Sequence, residues 1–169
     1  WNGPFKAVFV GTMGANKRPI EVFELIKELI DKGIAISIDF YGDGPLRSEI
    51  ASRVELLGLE DKVLIHGNVD NSIVTEAYKN AHFSFLLSKS EGWPKAVAEA
   101  MFWGCVPIAS AVSCVPWMLG VESVKGFKDT NLPSKIDQQI PHQVRDAQRE
   151  LRRSWRQIVH IAIDKGRRL

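Results

Sequence analysis

The 169-residue sequence predicts an α/β fold, a parallel sheet with helices on both faces, and three observations predict it. Short apolar segments of strand length run without polar alternation, as strands buried on both faces do. Segments with apolar residues at helical spacing separate them. Gly, Pro, Asn and Asp punctuate nearly every change from one to the other.

Phe5 to Val10 reads as the first strand, and Gly11 to Lys17 as a glycine-bearing loop. A helix follows from Pro19 to Lys32, with Pro at its start and Val22, Leu25, Ile26, Leu29 and Ile30 on one face. Gly33 ends it, and Ile34 to Tyr41 is the next strand. Gly42-Asp43-Gly44-Pro45 has turn chemistry at each position, which makes Asp43 a turn residue rather than a ligand. Leu46 to Leu57 is a helix carrying Leu46, Ile50, Val54 and Leu57 inward, closed by Gly58.

Lys62 to His66 is a short strand, and Gly67 to Asn71 a loop. A short helix runs from Ser72 to Lys79, capped by Ser72 or Asn71. His82 to Leu87 and Cys105 to Ser110 are buried strands, and Pro94 to Trp103 is the helix between them. Five strands alternating with helices make a Rossmann-like unit with right-handed crossovers. In such sheets ligands lie outside the carboxyl ends of the strands, and Ser88 to Trp93 occupies one of those ends.

The chain divides into this unit, residues 1–128, and a tail, residues 129–169, packed on the same domain. Val121 to Phe127 is the one strand candidate between Val112 and Pro141, and a helix resumes from Gln143 with Val144, Leu151, Trp155, Ile158 and Ala162 on one face. Arg145 to Leu169 holds eight Lys or Arg against three Asp or Glu, whereas the whole chain carries +2. A solvated helix face accounts for this more simply than peripheral association with an anionic membrane or an acidic partner.

The composition, 45% hydrophobic and 25% charged, is that of an ordinary globular protein. The sequence begins without Met, carries no leader and has no apolar run of membrane-spanning length, so the expectation is a cytoplasmic piece of something longer. Cys105 and Cys114 read as reduced thiols, and His66, His82, His142 and His160 are dispersed without metal-ligand spacing; no metal is predicted. Nothing points to nucleic acid.

Glu91 and Glu99 bracket the junction between the Ser88–Trp93 loop and its helix. The N–H groups of Lys95, Ala96 and Val97 are expected to point freely beyond Gly92, where the helix dipole favours a phosphate. Gly11 lets backbone approach a ligand, and Lys17 reaches a diphosphate as a point charge; the bland alternative is a solvated loop lysine. Glu99, about 7 Å along the helix axis, suits ribose hydroxyls while phosphates sit at the helix start. Glu91 precedes the turn, where a carboxylate can bond hydroxyls or stabilise developing positive charge; the bland alternative for both acids is a surface position favoured by the helix dipole. Gly67, Asn68 and Val69 offer backbone to a nucleobase edge, or form an ordinary polar turn.

Several strings together resemble the carboxy-terminal domain of glycosyltransferase family 4, a retaining group with two facing Rossmann-like domains called the GT-B fold. They are Val10-Gly11-Thr12-Met13 with Lys17, Tyr41 to Leu46, Val63 to Val69, and Ser90 to Pro94 through Glu99-Ala100-Met101, ending at Gly104 to Ser110. The resemblance spans about Phe5 to Ser113. It implies the donor-binding half of a GT-B enzyme that transfers a sugar from a nucleoside-diphosphate sugar to an acceptor with retained configuration, the amino-terminal acceptor domain being absent from this chain.

By that resemblance Glu91 is the catalytic candidate, and Gly11, Thr12, Lys17, Arg18, Trp93, Lys95 and Ala96 surround the donor diphosphate. Glu99 takes the ribose, and Asn68 and Val69 the base, without metal or other cofactor. The family often has Arg where Thr12 stands, so neutralisation leans on Lys17, Arg18 and the helix start. Beyond Ser113 the match is weak. A nucleotide-sugar epimerase of the same fold and a non-catalytic nucleotide- or phosphate-binding module are the alternatives. Gly11-Thr12-Met13-Gly14-Ala15-Asn16 lacks the dinucleotide-binding spacing, no Gly-Lys pair precedes Ser or Thr, and no Asp-x-Asp triplet is present, which excludes three other nucleotide-binding classes.

Overall fold

The structure, a computed structural model, describes residues 4–119. The boundary at 128/129, the strand expected at Val121 to Phe127, the helix expected from Gln143 and the basic segment all lie outside the described residues.

Five parallel strands form one sheet: β1 (Phe5–Val10), β2 (Ile36–Tyr41), β3 (Val63–Gly67), β4 (Phe83–Leu86) and β5 (Val106–Ala109), in the spatial order β3-β2-β1-β4-β5. The connecting helices are α1 (Pro19–Asp31), α2 (Arg47–Leu56), α3 (Asn71–Asn80) and α4 (Lys95–Phe102), and a single turn, α5 (Val115–Met118), follows β5. Each strand and helix expected before residue 111 is present, with ends shifted by at most two residues.

The pleat of β1 sorts the core into two layers. Ala7 and Phe9 face α1 and α2, joining Val22, Phe23, Ile26, Leu29, Ile50 and Val54 in the larger cluster. Val8 faces the other way, into a smaller cluster with Tyr78 of α3, Ala100 of α4 and Cys105. Both faces are therefore covered, as the unbroken apolar strands require. Cys105 ties that second layer together: its Sγ donates to the Tyr78 carbonyl at 3.0 Å, and burial pushes the thiol up to about 12, so it remains protonated.

Three local expectations are corrected. Leu57 is 44% exposed, because it caps α2 beyond the last full turn, and Leu59 packs on the core in its place. Asp70, not Ser72 or Asn71, occupies the cap position of α3, with no side-chain hydrogen bond. Pro94 is the cap of α4 rather than its first residue, its ψ of 72° lying outside the helical range.

His82 joins the start of β4 to β1. The Lys6 N–H donates to His82 Nδ1 at 2.9 Å, and burial holds the imidazole below its usual 6.5. A base whose folded-state pKa is depressed stabilises the fold above its unfolded pKa and loses that contribution as pH falls through the folded value. Urea unfolding of the protein should therefore show stability declining on acidification below about pH 6.5. His82→Asn, which keeps an acceptor for Lys6 without a titrating ring, should flatten part of that decline.

Candidate functional site

The strand order reverses between β1 and β4. Successive strands run outward from β1 to β3 on one side, and then the chain crosses by α3 to β4 and β5 on the other. A crevice at the carboxyl ends of such a pair is where open parallel sheets take ligands. The two loops leaving β1 and β4 are Gly11 to Arg18 and Leu87 to Pro94, so the topology gathers most of the sequence candidates at one place.

These loops are stitched together. Lys17 Nζ donates to Glu91 Oε1 at 2.6 Å, and the two side chains are 25% and 6% exposed. Asn16 Nδ2 donates to the Ser90 carbonyl at 3.0 Å, Ser90 Oγ donates back to Asn16 Oδ1 at 3.1 Å, and the Lys89 N–H donates to the Asn16 carbonyl at 2.8 Å. Ser113 Oγ donates to the Gly92 carbonyl at 3.2 Å. The sequence candidates did not include Asn16, Ser90 or Ser113, since pairings across 74 and 21 residues leave no periodic or motif signal. Ser88, 1% exposed, has a side-chain oxygen with no hydrogen-bond partner among the described residues.

The start of α4 differs from expectation. The Lys95 N–H donates to the Trp93 carbonyl at 2.8 Å and the Val97 N–H to the Pro94 carbonyl at 2.9 Å, leaving Ala96 as the one of the three amides without a partner among the described residues. The tight Trp93–Pro94 turn folds its own carbonyls back over the helix end, so the anion-binding capacity there rests on fewer donors. Trp93 is 62% exposed beside it. Tyr78 Oη donates to the Ala96 carbonyl at 3.3 Å and anchors this end of α4 to α3.

Glu99 is the fifth residue of α4 and pairs with Lys95 Nζ at 3.1 Å. Burial raises the Tyr78 phenol well above its usual range, and the negative charge of Glu99 adds to the effect. Arg18, with a left-handed φ of 54°, turns its Nε to Glu21 Oε1 at 2.9 Å, so its charge is partly engaged within α1. Thr12 is exposed and Gly11 half-buried at the end of β1. Asn68 is exposed and Val69 half-buried just after β3, two strands or about 10 Å from β1 along the sheet. A cleft of about 240 Å³ between α3 and the first two strands, lined by Lys6, Asp39, Tyr41 and Glu76 among others, contains none of these candidates.

The loops that close on one another at this crevice lie inside a stretch, residues 2–158, that matches the family model for glycosyl transferases group 1. The chain belongs to the group 1 glycosyltransferases. Solved structures with the same Rossmann-like sheet include the lipopolysaccharide outer core galactosyltransferase WaaB in its apo form, at 23% identity and a TM-score of 0.58 over 69% of this chain and 33% of that one. The pneumococcal O-GlcNAc transferase GtfA, in complex with UDP and GlcNAc, is 19% identical with a TM-score of 0.63, over 85% of this chain and 27% of that one. The C-terminal domain of the group 1 protein LpcC from Francisella tularensis is 20% identical with a TM-score of 0.57, over 62% of this chain and 57% of that one. At these identities the likeness is one of fold. The chain spans about a third or less of the WaaB and GtfA chains. Among curated proteins none matches. No helix among the described residues is long and apolar enough to cross a membrane.

Proposed function

We propose that this group 1 glycosyltransferase chain is the donor-binding half of a retaining enzyme that moves a sugar from a nucleoside-diphosphate sugar to an acceptor held by a second, amino-terminal domain. The observation that carries the reading is the meeting of the Lys17 ammonium and the Glu91 carboxylate at 2.6 Å, at the sheet's reversal point and beside the start of α4. A cation for the diphosphate and an acid for the sugar then stand next to each other, as transfer from a diphosphate leaving group needs.

In this reading Lys17, the Ala96 N–H, the backbone of Gly11 and Thr12, and the flanking Arg18, Trp93 and Lys95 surround the diphosphate, without a metal or other cofactor. Glu91 faces the transferred sugar and is the catalytic residue. Glu99 accepts the ribose hydroxyls, and Asn68 and Val69 border the base. Residence on the cytoplasmic side belongs to the same reading, with the basic tail solvated or, as the alternative, attached peripherally to an anionic membrane. The chain by itself should bind donor and show little or no transfer.

A thermal-shift panel of UDP-, GDP- and ADP-sugars tests the reading, since a ligand that binds only the folded state raises its melting temperature. A shift with one base is expected, and no shift with any of them rejects the donor site. Glu99→Ala should weaken nucleoside-diphosphate binding about tenfold, the value of a lost charge-assisted hydrogen bond, as read by calorimetry. Its pair with Lys95 joins side chains 29% and 74% exposed, so the melting temperature should barely move.

A further inference from the structure

We propose that the Lys17–Glu91 ion pair makes this site discriminate the intact sugar nucleotide from the bare nucleoside diphosphate, with Glu91 as the specificity-determining group. The inference rests on the donor-site reading above.

The Glu91 side chain is 6% exposed and takes its hydrogen bond from an ammonium that is 25% exposed. Solvent and ligands therefore reach the cation more readily than the acid behind it. A diphosphate that recruits Lys17 competes with Glu91 for it. The ammonium has three donors and can bridge both, but the bridge then sets a carboxylate against phosphate oxygens, and like charges in one site repel.

Glu91 has little freedom to escape the conflict. Its predecessor Ser90 is held twice by Asn16, Lys89 is held by the Asn16 carbonyl, and its successor Gly92 is held by Ser113. With its backbone anchored on both sides, the carboxylate stays buried when Lys17 turns away, and a buried acceptor without a partner is costly. A sugar attached to the diphosphate brings hydroxyl donors that replace the lost ammonium bond. A bare diphosphate brings only further negative charge. After transfer, Glu91 and the product diphosphate again compete for Lys17, which favours product release.

Calorimetry on the chain with UDP and UDP-glucose, GDP and GDP-mannose, and ADP and ADP-glucose gives the ratio of the two dissociation constants for whichever pair binds the wild type most tightly. Glu91→Gln keeps the shape and removes the charge. It should tighten binding of the bare diphosphate about tenfold without tightening that of the sugar nucleotide, so that the ratio shifts by the same factor. An unchanged ratio, or weaker binding of both ligands, overturns the inference while leaving the donor site standing. Failure of the wild type to bind any of the six rejects the donor-site reading and this inference with it. If Glu91→Gln does not melt cooperatively, Glu91→Asp, which keeps the charge but lengthens the contact to Lys17, should move the ratio the same way by less; no movement overturns the inference.

Discussion

Replacing Lys17 with Ala is expected to weaken nucleoside-diphosphate binding by about tenfold to a hundredfold, the loss of a charge-assisted contact to phosphate, while binding of the corresponding nucleoside changes far less. The same substitution should lower stability, because it strands a carboxylate that is 6% exposed. Removing one partner of a buried pair costs more than removing both. Since Lys17 is itself a quarter exposed, about 2 kcal/mol is a reasonable expectation by urea unfolding. The double replacement Lys17→Ala with Glu91→Gln should recover most of that stability but only the part of the diphosphate affinity that the Glu91 charge opposes. Full recovery of both would mean that Lys17 acts only by supporting Glu91. A single variant that unfolds no more easily than wild type would show that the pair contributes little to the fold.

The second large effect is expected at Gly42. Its φ of 128° is one that L side chains rarely adopt, and a Cβ placed there would lie 2.0 Å from the Gly11 carbonyl oxygen. Gly11 and Gly42 end adjacent strands, with the Gly11 N–H donating to the Tyr41 carbonyl at 3.0 Å and the Gly42 N–H to the Gly67 carbonyl at 2.8 Å. Backbone, not a flexible side chain, would have to move. Gly42→Ala should therefore cost about 3 kcal/mol or more, visible as a lower urea midpoint with little change in slope. Any folded fraction should also bind donor more weakly, since the displaced backbone is that of the loop carrying Lys17. Gly33→Ala is an informative comparison: its φ is also positive at 79°, but among the described residues no atom beyond its chain neighbours lies within 4 Å of the added Cβ, so it isolates conformational strain from the clash.

Most of the framework was legible because each strand is a short apolar run and each helix an amphipathic one. Pro19 and Gly33 mark the two ends of α1, and Val22, Leu25, Ile26 and Leu29 fall on its buried face. The legibility failed where local signals compete with geometry at an element's end. Leu57 fits the helical period but sits beyond the last turn, and Pro94 favours a first helical position but adopts a non-helical ψ. The supposed free amides of Lys95 and Val97 were lost for the same reason: carbonyls of the neighbouring turn reached them first.

The sequence by itself determined the alternation of strands and helices, the glycines at the strand ends and the residue types that suit a sugar nucleotide, because periodicity, turn chemistry and side-chain charge are properties of short stretches of chain. Only the tertiary structure decided that Lys17 meets Glu91, that Asn16 holds Ser90 and that Arg18 pairs with Glu21. The first two contacts join residues 74 positions apart, brought together by the crossover that sets β4 beside β1. Such a pairing arises from the order of strands in the sheet, and no local stretch of sequence encodes it.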